Sequence, residues 1–418
     1  MALGAGLTLV CTLAARLPSW RVDLGRLQAL MAVAFAFQAL ALAAIGRWRG
    51  LPHTGLAVFV VALAMRAAVL PVAPTLSDDV YRYIWDGRVL AHGIDPWAYA
   101  PSHPALAALR DAAIHSRINH PELRTIYPPL AEAGFALVAA VRPTVGAMKL
   151  WIALHDLALV AVLTAWCARR TGSALPAIAY AWNPLVVLEY AGSGHHDSTG
   201  LLWLALAFAL ADRRPAASAA AFAAAVLVKL APLVLLPFLW RDWGARARAV
   251  AVALIAPGLA LFLARARGAG SGLEAFATTW RNNELAFHYA ALALGDRGAR
   301  IAVAVAVAAL VAVLLWRRVE TVRAARATMR TLLLAGPVLH PWYLGWALVF
   351  EPAGFSWAWL ALSALALLNY GVLAAPAEGG AYHLPLAGRA IEYGVPAAIA
   401  AVLALASRRR SRGGAEHA

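Results

Sequence analysis

Two adjacent carboxylates, Asp78 and Asp79, follow an apolar run that ends near Val72 and open the segment Ser77-Asp78-Asp79-Val80-Tyr81-Arg82-Tyr83-Ile84-Trp85-Asp86-Gly87-Arg88. A carboxylate within about 2.6–3.2 Å of a hydroxyl oxygen can take its proton as a general base. Two carboxylates at close range cannot both ionise freely, which makes the pair more basic. The competing role is local, because an Asp pair opening a helix also serves as its cap and first-turn charge. Lys229 stands in the apolar context Val226-Leu227-Val228-Lys229-Leu230 and is one of two lysines among 36 basic residues. A lysine there either snorkels from the end of a span or offers an ammonium to an anion inside the membrane protein. His340, between Pro337 and Pro341, offers an imidazole donor, with a structural histidine at a helix end as the alternative.

Three other groups of polar residues carry two readings each. His195-His196-Asp197 invites zinc, but adjacent histidines point apart on a helix and no third nitrogen ligand stands at i+3 or i+4. Asp197 or Ser198 caps the next segment, or His196 and Asp197 face a substrate cleft. Trp342 and Tyr343 anchor the chain at the membrane interface, or offer their ring faces to a ligand. Arg281, in Trp280-Arg281-Asn282-Asn283-Glu284 with His288 nearby, can hold an anion or another polar ligand at the membrane edge. The two cysteines, Cys11 and Cys167, lie in or at the end of apolar runs and support neither a disulfide framework nor a thiolate metal site. Neither a metal nor any other cofactor is expected.

The elements that must position these side chains are set by composition. Of 418 residues, 62% are hydrophobic and 14% charged, with mean hydropathy +0.69, against ~45–50% and ~25% in soluble domains. Runs such as Ala29–Ile45, Thr54–Leu70 and Ile301–Trp316 hold at most one ionisable residue each and approach the length of a spanning helix. They lack the strict alternation of a lipid-facing barrel. The net charge of +15 comes from arginines at the ends of apolar runs, not from a basic domain with interleaved aromatics, so nucleic acid is excluded as a partner and membrane lipid is expected.

Short basic linkers belong on the cytoplasmic side: Arg47 and Arg49, Arg169 and Arg170, Arg213 and Arg214, Arg241 to Arg248, Arg317 to Arg330, and the tail Arg408 to Arg412. This thread puts 18–26, 73–148, 192–199, 268–298 and 374–389 outside and both termini inside. The expectation is an all-α polytopic membrane protein with about 12–14 transmembrane segments and amphipathic juxtamembrane helices in the first long outer loop. It forms one domain over 1–418, with a catalytic loop at 73–148, a second outer loop at 268–298 and a basic tail at 407–418. Asp79 to Ala91 reads as an amphipathic helix lying in the interface, and Pro128-Pro129-Leu130 opens a second one to Val141. Ala216–Val228 and Leu230–Trp240 are each too short to cross a bilayer, as is the break Gly336-Pro337-Val338-Leu339-His340-Pro341, and such half-length segments belong where they line a cavity.

The ordered set of motifs resembles a known family. The acidic pair, the helix holding Trp85-Asp86-Gly87, the turn Gly93-Ile94-Asp95-Pro96-Trp97-Ala98-Tyr99 and the helix start Tyr127-Pro128-Pro129-Leu130 look like the first outer loop of the C-type superfamily of membrane glycosyltransferases. Ala181-Trp182-Asn183-Pro184-Leu185, Gly192-Ser193-Gly194-His195-His196-Asp197-Ser198, Lys229-Leu230-Ala231-Pro232 and His340-Pro341-Trp342-Tyr343 follow in the order of its polyprenyl-phosphate-mannose-dependent bacterial mannosyltransferases. The resemblance implies an inverting transfer of a sugar, mannose in that family, from a polyprenyl phosphate to a hydroxyl of a glycolipid or glycan, on the outer face of the bacterial inner membrane. It implies Asp79 as the catalytic carboxylate, with Asp78 a close second. Lys229, His340 and Arg281 would hold the donor phosphate, and Tyr83, Tyr127, His196, Asp197, Trp342 and Tyr343 would contact substrate. A flippase or transporter of a lipid-linked sugar is the alternative, but alternating access would place polar residues near mid-membrane between repeats, whereas these fall on one face. A non-catalytic subunit would leave the Asp pair, Lys229 and His340 without a role.

Overall fold

The computed structural model describes residues 2–373 and 384–415, with side chains through residue 407. The outer segment expected over 374–389 and the tail over 407–418 therefore lie partly outside the described residues. Among those described, the chain is helical, and its only extended pairings are two isolated bridges, Arg124 with Ser271 and Asn282 with Val338. Helices satisfy their backbone groups internally, as an apolar solvent requires. Five are long and apolar enough to cross a membrane: Leu24–Trp48, Val145–Thr171, Ala245–Arg265, Ala286–Trp316 and Leu386–Ser407. Six further apolar helices have 10–17 residues, and these pack within the protein or break at the positions that matter below.

Helix α1 (Ala2–Ala15) packs on both α2 (Leu24–Trp48) and α3 (Thr54–Val69), and α3 packs on the long helix α6 (Val145–Thr171). One ion pair ties this group together. Arg66 of α3 donates to Asp156 of α6 at 2.7 Å and to the Ala181 carbonyl at 2.7 Å, while the Tyr180 hydroxyl donates to Asp156 at 2.9 Å. An arginine in an apolar run is tolerated only with such partners.

Between α3 and α6 come α4 (Asp79–Ala91) and α5 (Pro129–Val141), at the boundaries expected from the sequence. Gly87 permits their close approach, because a Cβ at that position would collide with the Phe135 carbonyl of α5. The surface of α4 differs from expectation. It does not lie with a polar face in the interface: Arg82 and Asp86 are 6% and 2% exposed and paired at 2.7 Å. The loop between α4 and α5 folds over the helix and covers this face. Arg88 reaches up to Asp111 and to the Leu109 carbonyl, so charges that the sequence assigns to water are matched internally.

Three later segments lose regular helix. Val187–Gly192 is a π-helical turn followed by the 193–196 turn, and helix Asp197–Leu210 begins there. Helix Pro215–Val228 stops at Lys229, whose backbone is extended (φ −154°, ψ 136°), before the short segments Ala231–Leu235 and Leu236–Asp242. Helix Thr321–Ala335 gives way to extended chain up to His340 and a 3-10 turn Pro341–Leu344. Both proline-marked breaks are thus where the sequence puts them. The stretch read as a second outer loop, 268–298, is largely helical: Gly272–Thr278 forms one helix, and the next runs from Ala286, with a kink at Gly295 (φ 69°, ψ 165°).

Candidate active site

The three irregular segments converge on the N-terminus of α4. Asp78 stands at the N-cap position of α4 without a side-chain capping hydrogen bond, and Asp79 is the acidic residue of the first turn, so of the local reading the placement holds and the side-chain cap does not. Asp79, in the first turn, turns its carboxylate outward: Oδ1 accepts from Asn119 Nδ2 at 2.9 Å, and Oδ2 lies 3.8 Å from His195 Nε2. Its side chain keeps 23% exposure beside a fully buried His195. Partial desolvation, then the adjacent Asp79 charge, push the Asp78 carboxyl above its ordinary range, against the opposing pull of Arg21 and Arg117.

His195 is the residue that sequence reasoning missed while selecting its two neighbours. Its Nδ1 faces Glu189 Oε2 at 3.1 Å and the Glu189 carbonyl at 3.3 Å. Tyr370 donates its hydroxyl proton to the same carboxylate, at 2.7 and 2.8 Å from the two oxygens. The ring lies flat on Trp342, with centroids 3.8 Å apart and planes 11° apart, and His340 stacks with Trp342 at 4.3 Å and 4°. Trp342 is thereby a spacer between two imidazoles as well as an aromatic at the segment end. The His340 Nδ1 bonds to the Asn282 side-chain amide. With the amide nitrogen as donor, Nδ1 is the acceptor and the ring proton sits on Nε2.

Lys229 completes the arrangement from the far side. Its ammonium pairs with Asp197 Oδ1 and lies 4.1 Å from the Tyr343 ring centroid. Trp346 Nε1 donates to the same Asp197 oxygen at 2.6 Å. Asp197 is 1% exposed, whereas Lys229 retains 24% side-chain exposure. Asp197 is therefore engaged as the counter-ion that aims the lysine, and the open surface of the pair belongs to Lys229. A continuous series of contacts runs from Asp79 through His195, Trp342 and Tyr343 to Lys229.

The other sequence candidates occupy different positions. Tyr83 is buried, stacked on Phe135 at 4.8 Å, and His196 sits in a cage of Tyr83, Tyr127 and Phe135 with centroids 4.9–5.2 Å away. These rings form the wall between α4, α5 and the 193–196 turn. Arg281 is occupied by Glu284 at 2.7 Å and Asp296 at 2.9 Å. Its neighbour Asn282 reaches the site instead, exchanging backbone bonds with Pro337 and Leu339 at 3.0 and 2.9 Å and holding His340. The 268–298 stretch thus supports the site through its backbone and one amide. Among the described residues, no group of three or more His, Cys, Asp or Glu is placed to hold a metal ion.

Glu189, Tyr370, Asn119 and Trp346 also gather here from four separate parts of the chain. Glu189 had one signal, an ionisable side chain in an apolar segment. Tyr370 had none, since its partner is 181 positions away.

Residues 4–246 match the family described as alpha-(1->6)-mannopyranosyltransferase, N-terminal domain. Alpha-(1->6)-mannopyranosyltransferase A of Corynebacterium glutamicum is 30% identical over 190 residues, which are 42% of this chain and 36% of that protein. The match therefore spans little more than a third of the curated relative's length. No solved structure matches the chain. The family match takes in Asp78, Asp79, His195, Asp197 and Lys229 and covers well over half of the sequence, so the chain belongs to the alpha-(1->6)-mannopyranosyltransferase family, a bacterial group of the C-type membrane glycosyltransferases.

Proposed function

We propose that the chain transfers a mannosyl residue from polyprenyl-phosphate mannose to a hydroxyl of a glycolipid or glycan, with inversion at the anomeric carbon. The reaction takes place at the outer face of the bacterial inner membrane, with both termini cytoplasmic and residues 1–418 acting as one transmembrane unit. Asp79 is the general base: it takes the acceptor hydroxyl proton as the new C–O bond forms and the bond from the anomeric carbon to phosphate breaks. The leaving polyprenyl phosphate needs cations and donors at the membrane surface but no nucleotide-binding domain and no metal. Lys229 supplies them: Asp197 takes one of its three N–H groups, and the exposed side of the ammonium faces the donor. His340 adds its Nε2–H. Trp342 and Tyr343 line the path between base and cation, while Tyr83, Tyr127 and His196 hold the wall behind it.

The observation that supports this reading best is the joining of Asp79 and Lys229 by one wall of contacting aromatic rings, both side chains partly open and both at helix ends. The test is purified protein supplied with radiolabelled polyprenyl-phosphate sugars and a glycan acceptor, with release of free polyprenyl phosphate as the readout. Mannose should be transferred. Asp79→Asn should lower turnover by about two orders of magnitude or more while donor binding survives. Full activity of that variant removes Asp79 as the base, and absence of transfer from every polyprenyl-phosphate sugar ends the proposal.

A further inference from the structure

His195 is held in a way that its packing does not explain. Both groups facing its Nδ1, the Glu189 carboxylate and the Glu189 carbonyl, can only accept, so Nδ1 carries a proton. In the neutral ring Nε2 is then a bare lone pair. That nitrogen is fully buried, has no hydrogen-bond partner, and points at Asp79 Oδ2 from 3.8 Å. A buried polar atom left without a partner costs free energy, and this one faces the carboxylate assigned as the base. The distance is too long for a hydrogen bond, but such contacts tighten when substrate arrives. Stacking on Trp342 fixes the ring plane, and Tyr370 fixes the Glu189 carboxylate.

We infer that His195 is the next proton acceptor behind Asp79, a positioning and relay residue held in its tautomer by Glu189 and Tyr370. The inference rests on the proposed role of Asp79. The acceptor hydroxyl gives its proton to Asp79 as its oxygen bonds the anomeric carbon, and the phosphate leaves with the electron pair of the broken bond. The proton then passes from the Asp79 carboxyl to His195 Nε2. Asp79 is restored to its basic form, and the imidazolium is balanced by Glu189 and by the face of Trp342. Release of that proton to water at the Asp79 side closes the cycle. The titratable and charged groups that face His195 are Asp79 from α4, Glu189 and His196 from its own segment, Tyr370, and His340 across Trp342.

His195→Gln should lower kcat at least about tenfold with donor KM unchanged. Glu189→Gln and the milder Tyr370→Phe should move kcat in the same direction, and the His195→Gln/Glu189→Gln double variant should be no worse than His195→Gln alone. Melting of each variant in detergent separates this from misfolding. A substrate-free readout accompanies the kinetics: 15N spectra of histidine-labelled protein, with the His195 signal identified by its loss in His195→Gln, should show Nδ1–H and bare Nε2 at neutral pH. His195→Gln within twofold of the parent, while Asp79→Asn is impaired, overturns this inference and leaves the base assignment standing. An Nε2–H tautomer overturns it without recourse to activity. Full activity of Asp79→Asn overturns both.

Discussion

Removing Lys229 separates its structural work from its proposed binding role. In Lys229→Ala, Asp197 keeps a carboxylate that is 1% exposed and retains only the Trp346 indole among the partners described. Breaking a buried ion pair from one side costs roughly 3–5 kcal/mol, because the surviving charge is left uncompensated. The 24% exposure of Lys229 lets water replace part of what is lost, which puts the expected destabilisation near the bottom of that range, about 3 kcal/mol. Adding Asp197→Asn removes the orphaned charge, so the double variant should recover most of that stability. Donor affinity should behave differently. Charge-assisted hydrogen bonds contribute about 1.5–3 kcal/mol, so both the single and the double variant should bind donor roughly 10- to 100-fold more weakly. Protein in nanodiscs, measured by chemical unfolding and by titration with a short-chain polyprenyl-phosphate mannose, gives both quantities. A double variant that is stable and binds donor at the parent affinity refutes the phosphate role. A Lys229→Ala variant as stable as the parent refutes the ion-pair argument.

Other outcomes follow from the loop and from helix contact. Burial alone would raise the Asp111 carboxyl, but the N–H groups of Ile114 and His115 and the Arg88 guanidinium outweigh it and hold the carboxyl below its ordinary range. Its contribution to loop stability is present above the unfolded-state value of about 3.8 and is lost as pH falls through the lowered folded-state value. Hydrogen-exchange protection over residues 92–118, with the intrinsic rate at each pH divided out, should therefore fall on acidification through that window, and Asp111→Asn should show the lower protection already at pH 7; unchanged protection in the variant would remove Asp111 as the loop's anchor. Gly87→Ala places a methyl against the Phe135 carbonyl and should force α4 and α5 apart at a cost of about 1–3 kcal/mol, with turnover falling because Asp79 sits on α4. Parent-like melting and turnover would show that the helices can separate without consequence.

Much of this protein was legible in its residues alone. Apolar runs without alternation dictate membrane helices, and Pro232 and Pro337 with Pro341 dictate breaks, because proline removes a backbone donor and cannot continue a helix. The boundaries of α4 and α5 and the placement of Asp79, Lys229 and His340 at helix ends or breaks were readable for that reason. Local pattern reports which backbone groups are paired along one stretch of chain. It carries no information about which side chains from distant stretches neutralise one another, and in an apolar surrounding that pairing decides what each charge can do. Arg281 looked free and is held by Glu284 and Asp296, and Asp197 looked like a contact for substrate and is the counter-ion of Lys229. His195 looked like the lesser of two histidines, and only the meeting of α4, the π-turn before it and the 340–343 turn puts its unpartnered Nε2 beside Asp79. Sequence determined where the helices stop; tertiary packing decided which of the charges at those stops remain available, because only packing brings together partners separated by scores of residues.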